Sequence, residues 1–141
     1  MPNEGVGIID VTSSYSAVES IGRLETLARA RGLLVFARID FSADAARAGQ
    51  RLRPMVTLLF GNPRAGTPVL AAAPRVGLDL PLRALAWEDE NGVVRISYDE
   101  PEWIAARHGF PIALAENLAA IRALVEEAAT GGSVAEPPPM H

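Results

Sequence analysis

The chain has 141 residues and a net charge of −4, with 13 basic residues, all of them arginine, against 17 acids. That length suits one domain around one core, and the acidic balance offers no general attraction to nucleic acid or to an anionic membrane. No cysteine is present, so disulfides, thiolate metal sites and a cysteine nucleophile are excluded.

Gly5 to Val11 reads as a first strand. Ser16-Ala17-Val18-Glu19 matches a capping box, in which the Ser16 hydroxyl accepts from the Glu19 amide and the Glu19 carboxylate accepts from the Ser16 amide. Val18, Ile21, Leu24, Leu27 and Ala28 recur at helical spacing, and Gly32 is a natural left-handed stop, so a helix is predicted over about 16–31. Leu34 to Phe41 alternates, with Val35, Ala37, Ile39 and Phe41 on one face of a strand. Ser42 is the expected cap of a short helix, Ala43 to Gly49, whose alanines would pack on the sheet.

Met55 to Phe60 is apolar apart from Thr57, which predicts a central, well-covered strand. It stops at Gly61-Asn62-Pro63, where Gly and Asn tolerate positive φ and Pro donates no ladder bond. Thr67-Pro68 reads as the cap and first residue of a helix that ends before Pro74. Ala84 to Asp89 is the next strand, and Asn91-Gly92 is a strong hairpin signal. A two-residue loop there would set Glu88 opposite Arg95, Trp87 opposite Ile96 and Leu85 opposite Tyr98. Trp87 and Tyr98 would then share a core face.

Asp99-Glu100-Pro101-Glu102 opens a short helix that ends at Arg107-His108-Gly109. Pro111 begins the last helix, predicted to run to about Ala129 with Leu114, Leu118, Ile121, Val125 and Ala128 as its stripe. Adjacent strands with few crossovers predict an α+β fold, a two-layer sandwich with a mainly antiparallel sheet and a long C-terminal helix. The domain is predicted over 1–130. The Gly/Pro-rich end, GGSVAEPPPMH, is expected to be a poorly packed tail over 131–141. The N-terminus has no basic region followed by an apolar one, and no apolar run nears the ~20 residues that span a bilayer. A cytoplasmic protein without a membrane or nucleic-acid partner is expected.

Several motifs occur together in one order. They are Gly32-Leu33-Leu34-Val35-Phe36-Ala37-Arg38-Ile39-Asp40, Leu52-Arg53-Pro54, Phe60-Gly61-Asn62-Pro63, Ala65-Gly66-Thr67-Pro68 and Ala73-Pro74. Asp79-Leu80-Pro81-Leu82, Trp87-Glu88-Asp89, Tyr98-Asp99-Glu100-Pro101 and Arg107-His108-Gly109 follow. This arrangement resembles the domain-of-unknown-function 302 family from about Gly5 to Val125. The resemblance implies a TATA-box-binding-protein-like fold in strand-helix-four-strand-helix order, and a homodimer. It transfers no catalytic residue, because the family carries no established activity.

Chemistry is sparse. No GxGxxG, Gly-Lys-Ser/Thr or GxSxG occurs, so no cofactor is expected and a hydrolase elbow has no support. One body histidine, His108, is too few for a His-rich metal site, and His141 lies in the tail. The Asn62 turn could hold an anion on backbone amides, but it also reads as a plain strand end. Arg107-His108 could bind an anion and move a proton, but cations also suit a helix C-terminus. Glu88, Asp89 and Glu90 read as a solvated turn. The sequence therefore predicts a homodimer that binds a small ligand or a partner without catalysis, its pocket between sheet and C-terminal helix. Phe60, Asn62, Tyr98, Arg107 and His108 are its candidate residues. One alternative is an enzyme using His108 as acid or base, with Arg107 or the Asn62 turn holding an anionic substrate. Another is a structural dimerisation module.

Overall fold

The computed structural model of the chain describes residues 5–131. The residues past Gly131 in the predicted tail, His141 among them, lie outside that range. A five-stranded sheet has the order β1-β5-β4-β3-β2, and every neighbouring pair is antiparallel. Its strands are β1 (Ile8–Ser13), β2 (Leu34–Asp40), β3 (Met55–Gly61), β4 (Leu82–Glu88) and β5 (Val94–Asp99). Helices α1 (Ala17–Ala30) and α5 (Ala120–Thr130) cover one face. The predicted α+β two-layer class holds.

β1 starts three residues later than Gly5, because Gly5 and Gly7 turn the chain at positive φ. The capping box forms as predicted: Glu19 N donates to Ser16 Oγ at 3.0 Å and Ser16 N donates to Glu19 Oε1 at 3.3 Å. Helix α1 buries Ile21, Leu24, Leu27 and Ala28 against the sheet. Arg23 ties it to α5, donating to the Ala128 and Glu127 carbonyls at 2.9 and 3.0 Å. Those carbonyls belong to the last turn of α5, where helical partners run out.

Several expectations are corrected. The hairpin closes one residue differently: Trp87 faces Arg95, Ala86 faces Ile96 and Ala84 faces Tyr98. The cause is Asp89, whose carboxylate accepts from Asn91 N and Val93 N while its amide donates to the Val93 carbonyl, which lengthens the loop. A one-residue slip moves side chains to the other face, so Ile96 and Tyr98 are core while Leu85 and Trp87 are on the open face. Arg95 pairs with Asp89 at 2.5 Å, not with Glu88. Second, the register of β2 shifts between Val35 and Ala37. Val35 then sits with Phe60 on the core side, while Ala37 and Ile39 join Leu59 and Thr57 on the open side.

Third, the helix predicted from Pro68 begins earlier. Asn62 is the cap of α3 (Pro63–Ala72), with its Oδ1 accepting from Arg64 N at 3.0 Å, and Pro68 lies inside the helix. The short helix α2 (Phe41–Arg47) is likewise capped by Asp40 instead of Ser42, and it buries none of its residues. Fourth, the last helix is two pieces, a 3-10 segment Ile112–Leu118 and then α5. Helix α4 (Pro101–His108) ends at Gly109 as read. Strand β3 is interior to the sheet but covered on one face only, since Leu59 and Met55 point to the open side.

Candidate functional site

The largest buried side chains come from the helix-covered face. Phe60 is 0% exposed, and Leu58, Val56, Ile96, Leu24, Ile21, Leu124 and Val125 belong to the same buried core. The interface between sheet and C-terminal helix, where a pocket was expected, is filled. Phe60 is a core residue, and Tyr98 is buried at 7% exposure while also bordering the groove on the open face. By alternation the Tyr98 side chain lies with Ile96 on the helix side, and burial pushes its hydroxyl pKa up.

Space exists at the end of the sheet instead. A pocket of about 270 Å3 lies where β3 runs into α3 and where the 3-10 segment Pro74–Leu78 leads into β4. Phe36, Pro63, Leu70 and Pro81 contribute to its wall, with Asn62 and Asn117 as amides and Gly61, Gly66 and Gly77 as bare backbone. No charged residue lines it. Asn117 fixes one side by donating through Nδ2 to the Ala65 carbonyl at 3.0 Å.

The three glycines differ from most others in the chain. Seven described glycines have positive φ, a conformation that excludes other residues. Gly61, Gly66 and Gly77 do not. A Cβ on Gly66 would meet nothing within 4 Å, and on Gly61 and Gly77 only ordinary contacts at 3.6 Å or more. Glycine inside a helix such as α3 costs about 0.5–1 kcal/mol relative to alanine. Neither backbone nor packing requires it at Gly66. A Cβ there would enter open space.

The charged residues gather nearby but apart. Arg107 Nη1 donates to Asp79 Oδ1 and Oδ2 at 3.0 and 2.8 Å, and His108 Nε2 lies 2.5 Å from Asp79 Oδ2. The His108 and Asp79 side chains are 7% and 13% exposed. Asp99 borders the same cluster, and burial first, then the Asp79 carboxylate, raises its pKa. The cavity between Asp79, Arg83 and Asp99 is only about 10 Å3, at most the room of a single water on the usual reckoning of about 10–15 Å3. Asn62 and His108 therefore do not meet in one cleft. Asn62 lines the pocket, whereas Arg107 and His108 clamp Asp79.

Asp79 stands out in the sequence only within the motif Asp79-Leu80-Pro81-Leu82, and Asn117 not at all. Each acts on a residue far away in the chain, so spacing gives no sign of them. Gly66 was quoted only as part of a motif. Its signal was available: a glycine inside a run with no turn partner. Among the described residues no group of three or more His, Asp or Glu could hold a metal ion, and no helix is long and apolar enough to cross a membrane.

Comparison with known proteins adds three findings. The family model "Domain of unknown function DUF302" matches residues 9–128. The crystal structure of an uncharacterized conserved DUF302 protein from Bacillus stearothermophilus superposes with a TM-score of 0.71 at 25% identity, covering 87% of this chain and 95% of that one. Fluoride-specific ion channel FluC 1 of Brucella suis biovar 1 is 43% identical over 102 residues, which is 72% of this chain and 40% of that protein. The FluC 1 of Brucella abortus biovar 1 matches equally, over 38% of its length. The chain thus spans about two fifths of the length of the curated relatives it matches.

Proposed function

The chain belongs to the DUF302 family, and from that premise we propose that it is a cytoplasmic homodimer that binds a small ligand without performing chemistry on it. The observation that carries this reading is the pocket at the sheet end, kept open by glycines that the backbone does not need. Concave, mostly apolar sites with a few fixed polar groups are the common form of ligand pockets. The acid–base alternative is less favoured, because His108 is engaged by Asp79 beside a cavity too small for a substrate.

The homodimer is supported by the open face of the sheet. Ile39, Leu59, Leu85 and Phe41 border a groove there, and Leu34 and Phe36 are exposed on the neighbouring edge strand. An uncovered apolar patch of this kind marks an interaction surface. Native mass spectrometry of freshly purified protein tests both parts at once. A dimer mass with an added small mass is expected. Ile39→Glu should give monomers, and Gly66→Leu should lose the added mass. A monomer with no retained mass from a folded wild type overturns the reading.

A second reading rests on the partial match to the Brucella channels. Among the described residues no helix is long and apolar enough to cross a membrane, and three fifths of the Brucella suis protein lies outside the match. In this reading the domain serves a membrane channel from outside the bilayer. A fluoride titration of this chain followed by amide NMR separates the two. Saturable shifts favour the channel-linked reading, and an unchanged spectrum favours a different ligand.

A further inference from the structure

We infer that the pocket takes a neutral, planar, mainly apolar ring molecule of one or two fused rings. This rests on the ligand-binding reading above and names its ligand class.

Size sets the first limit. At about 270 Å3, the pocket sits just below the usual range for drug-sized ligands of about 300–1,000 Å3. A nucleotide or a lipid chain exceeds it, whereas a one- or two-ring molecule fits. Charge sets the second. None of the lining residues carries a charge. Moving a carboxylate or phosphate onto Leu70, Leu80 and Leu82 would strip its water with no cation in return, at a cost well above that of a neutral group.

Shape sets the third limit. Gly61, Gly66 and Gly77 present main chain without a Cβ, so a flat face can approach the backbone closely. Phe36 adds an aromatic face, and Pro63 and Pro81 add compact apolar rings. The aromatic ring favours a planar guest through stacked contact. Polarity then orients it. Asn62 spends its Oδ1 on Arg64 N, and Asn117 spends its Nδ2 on the Ala65 carbonyl. The Asn62 Nδ2 donor and the Asn117 Oδ1 acceptor have no partner among the described residues. They suit a ligand with an amide or lactam edge, which offers one acceptor and one donor.

Calorimetric titration of the full chain with three probes tests this. 1-Naphthamide is planar and neutral, 1-naphthoate is planar and charged, and decahydronaphthalene-1-carboxamide is neutral but not planar. 1-Naphthamide is expected to bind at least 10-fold more tightly than either of the others. Gly66→Leu should abolish that binding, while Gly66→Ala, which meets no atom within 4 Å, confirms that a substituted α3 still folds. Equal or tighter binding of 1-naphthoate or of the saturated amide overturns the ligand class. So does a wild type that binds none of the three. If in either case Gly66→Leu still removes the retained mass seen in native spectra, the class alone has failed. If the retained mass, or 1-naphthamide binding, survives Gly66→Leu, the pocket reading fails with it.

Discussion

The stretch from Gly77 to Leu82 has two sides of opposite character. Gly77, Leu80, Pro81 and Leu82 wall a pocket of about 270 Å3 with no charged lining. Asp79, in the middle of the same stretch, turns to α4 and holds Arg107 and His108, where the cavity is about 10 Å3. Along this stretch the pocket has no titratable lining, and the cavity at Asp79 is small. An acid–base enzyme needs room and titratable groups at one place. A binding domain needs only the room, with a rigid wall behind it, and the Asp79 clamp is well placed to supply that rigidity.

The comparison can be broken most severely from the core behind the pocket. Phe60 is fully buried one residue before the pocket-lining Gly61. Phe60→Ala is expected to cost about 3–5 kcal/mol of stability, the usual range for emptying an aromatic core site. Chemical denaturation measures it. A loss under about 1 kcal/mol would mean that Phe60 is loosely packed and belongs to the pocket after all.

The clamp side comes next. Asp79→Ala leaves His108, 7% exposed, without its partner, and an unsatisfied buried group costs about 1–3 kcal/mol. Part of the Arg107 contribution is lost to solvent screening, since that side chain is 47% exposed. Ligand affinity should fall along with stability, because the pocket wall is no longer held from behind. Asp79→Asn retains a hydrogen-bond acceptor and should recover part of both. An affinity unchanged in Asp79→Ala would separate the two sides entirely.

The pocket side has the opposite sign. Gly66→Ala adds a methyl group to open space in α3, so it should stabilise the protein by about 0.5–1 kcal/mol. Ligand affinity should drop as the guest loses room. A thermal melt and a titration on the same variant check both directions. Destabilisation would show that Gly66 is kept for the backbone, and the volume argument would fall.

How much of this was legible beforehand follows the range of the interactions. The Ser16–Glu19 box and the Gly32 and Gly109 stops are local, and they appear as read. The order of elements along the chain, strand-helix-four-strand-helix with short insertions, also appears as expected. The hairpin register could not, because Asp89 outbids the Asn91-Gly92 signal through its own carboxylate. That single slip moved Trp87 away from Tyr98. The α3 start was hidden for a similar reason: Asn62 caps more effectively than Thr67, yet it sits in a segment that also reads as a strand stop. Of the candidate residues, Asn62 reached the pocket, while Arg107 and His108 were drawn away by an acid 28 residues or more upstream. Nothing in local spacing announces such a partner.

The smallest expected effect tests the charge balance of the clamp side. Burial, and after it the Asp79 carboxylate, holds the Asp99 carboxyl above its usual range, against the pull of Arg83 and Arg107. The folded protein therefore binds a proton at Asp99 more readily than the unfolded chain does. Stability from this group is lost as pH rises from the unfolded carboxyl value, ~3.9, through the raised folded one. Asparagine is neutral throughout and stands in for the protonated form. Asp99→Asn should melt slightly above the wild type at pH 7, and the gap should close at pH 3, where both side chains are neutral. If the variant melts lower at pH 7, the arginines outweigh the burial. The cluster would then be a satisfied ion network able to accept more negative charge, and an anionic ligand on that side would regain its case.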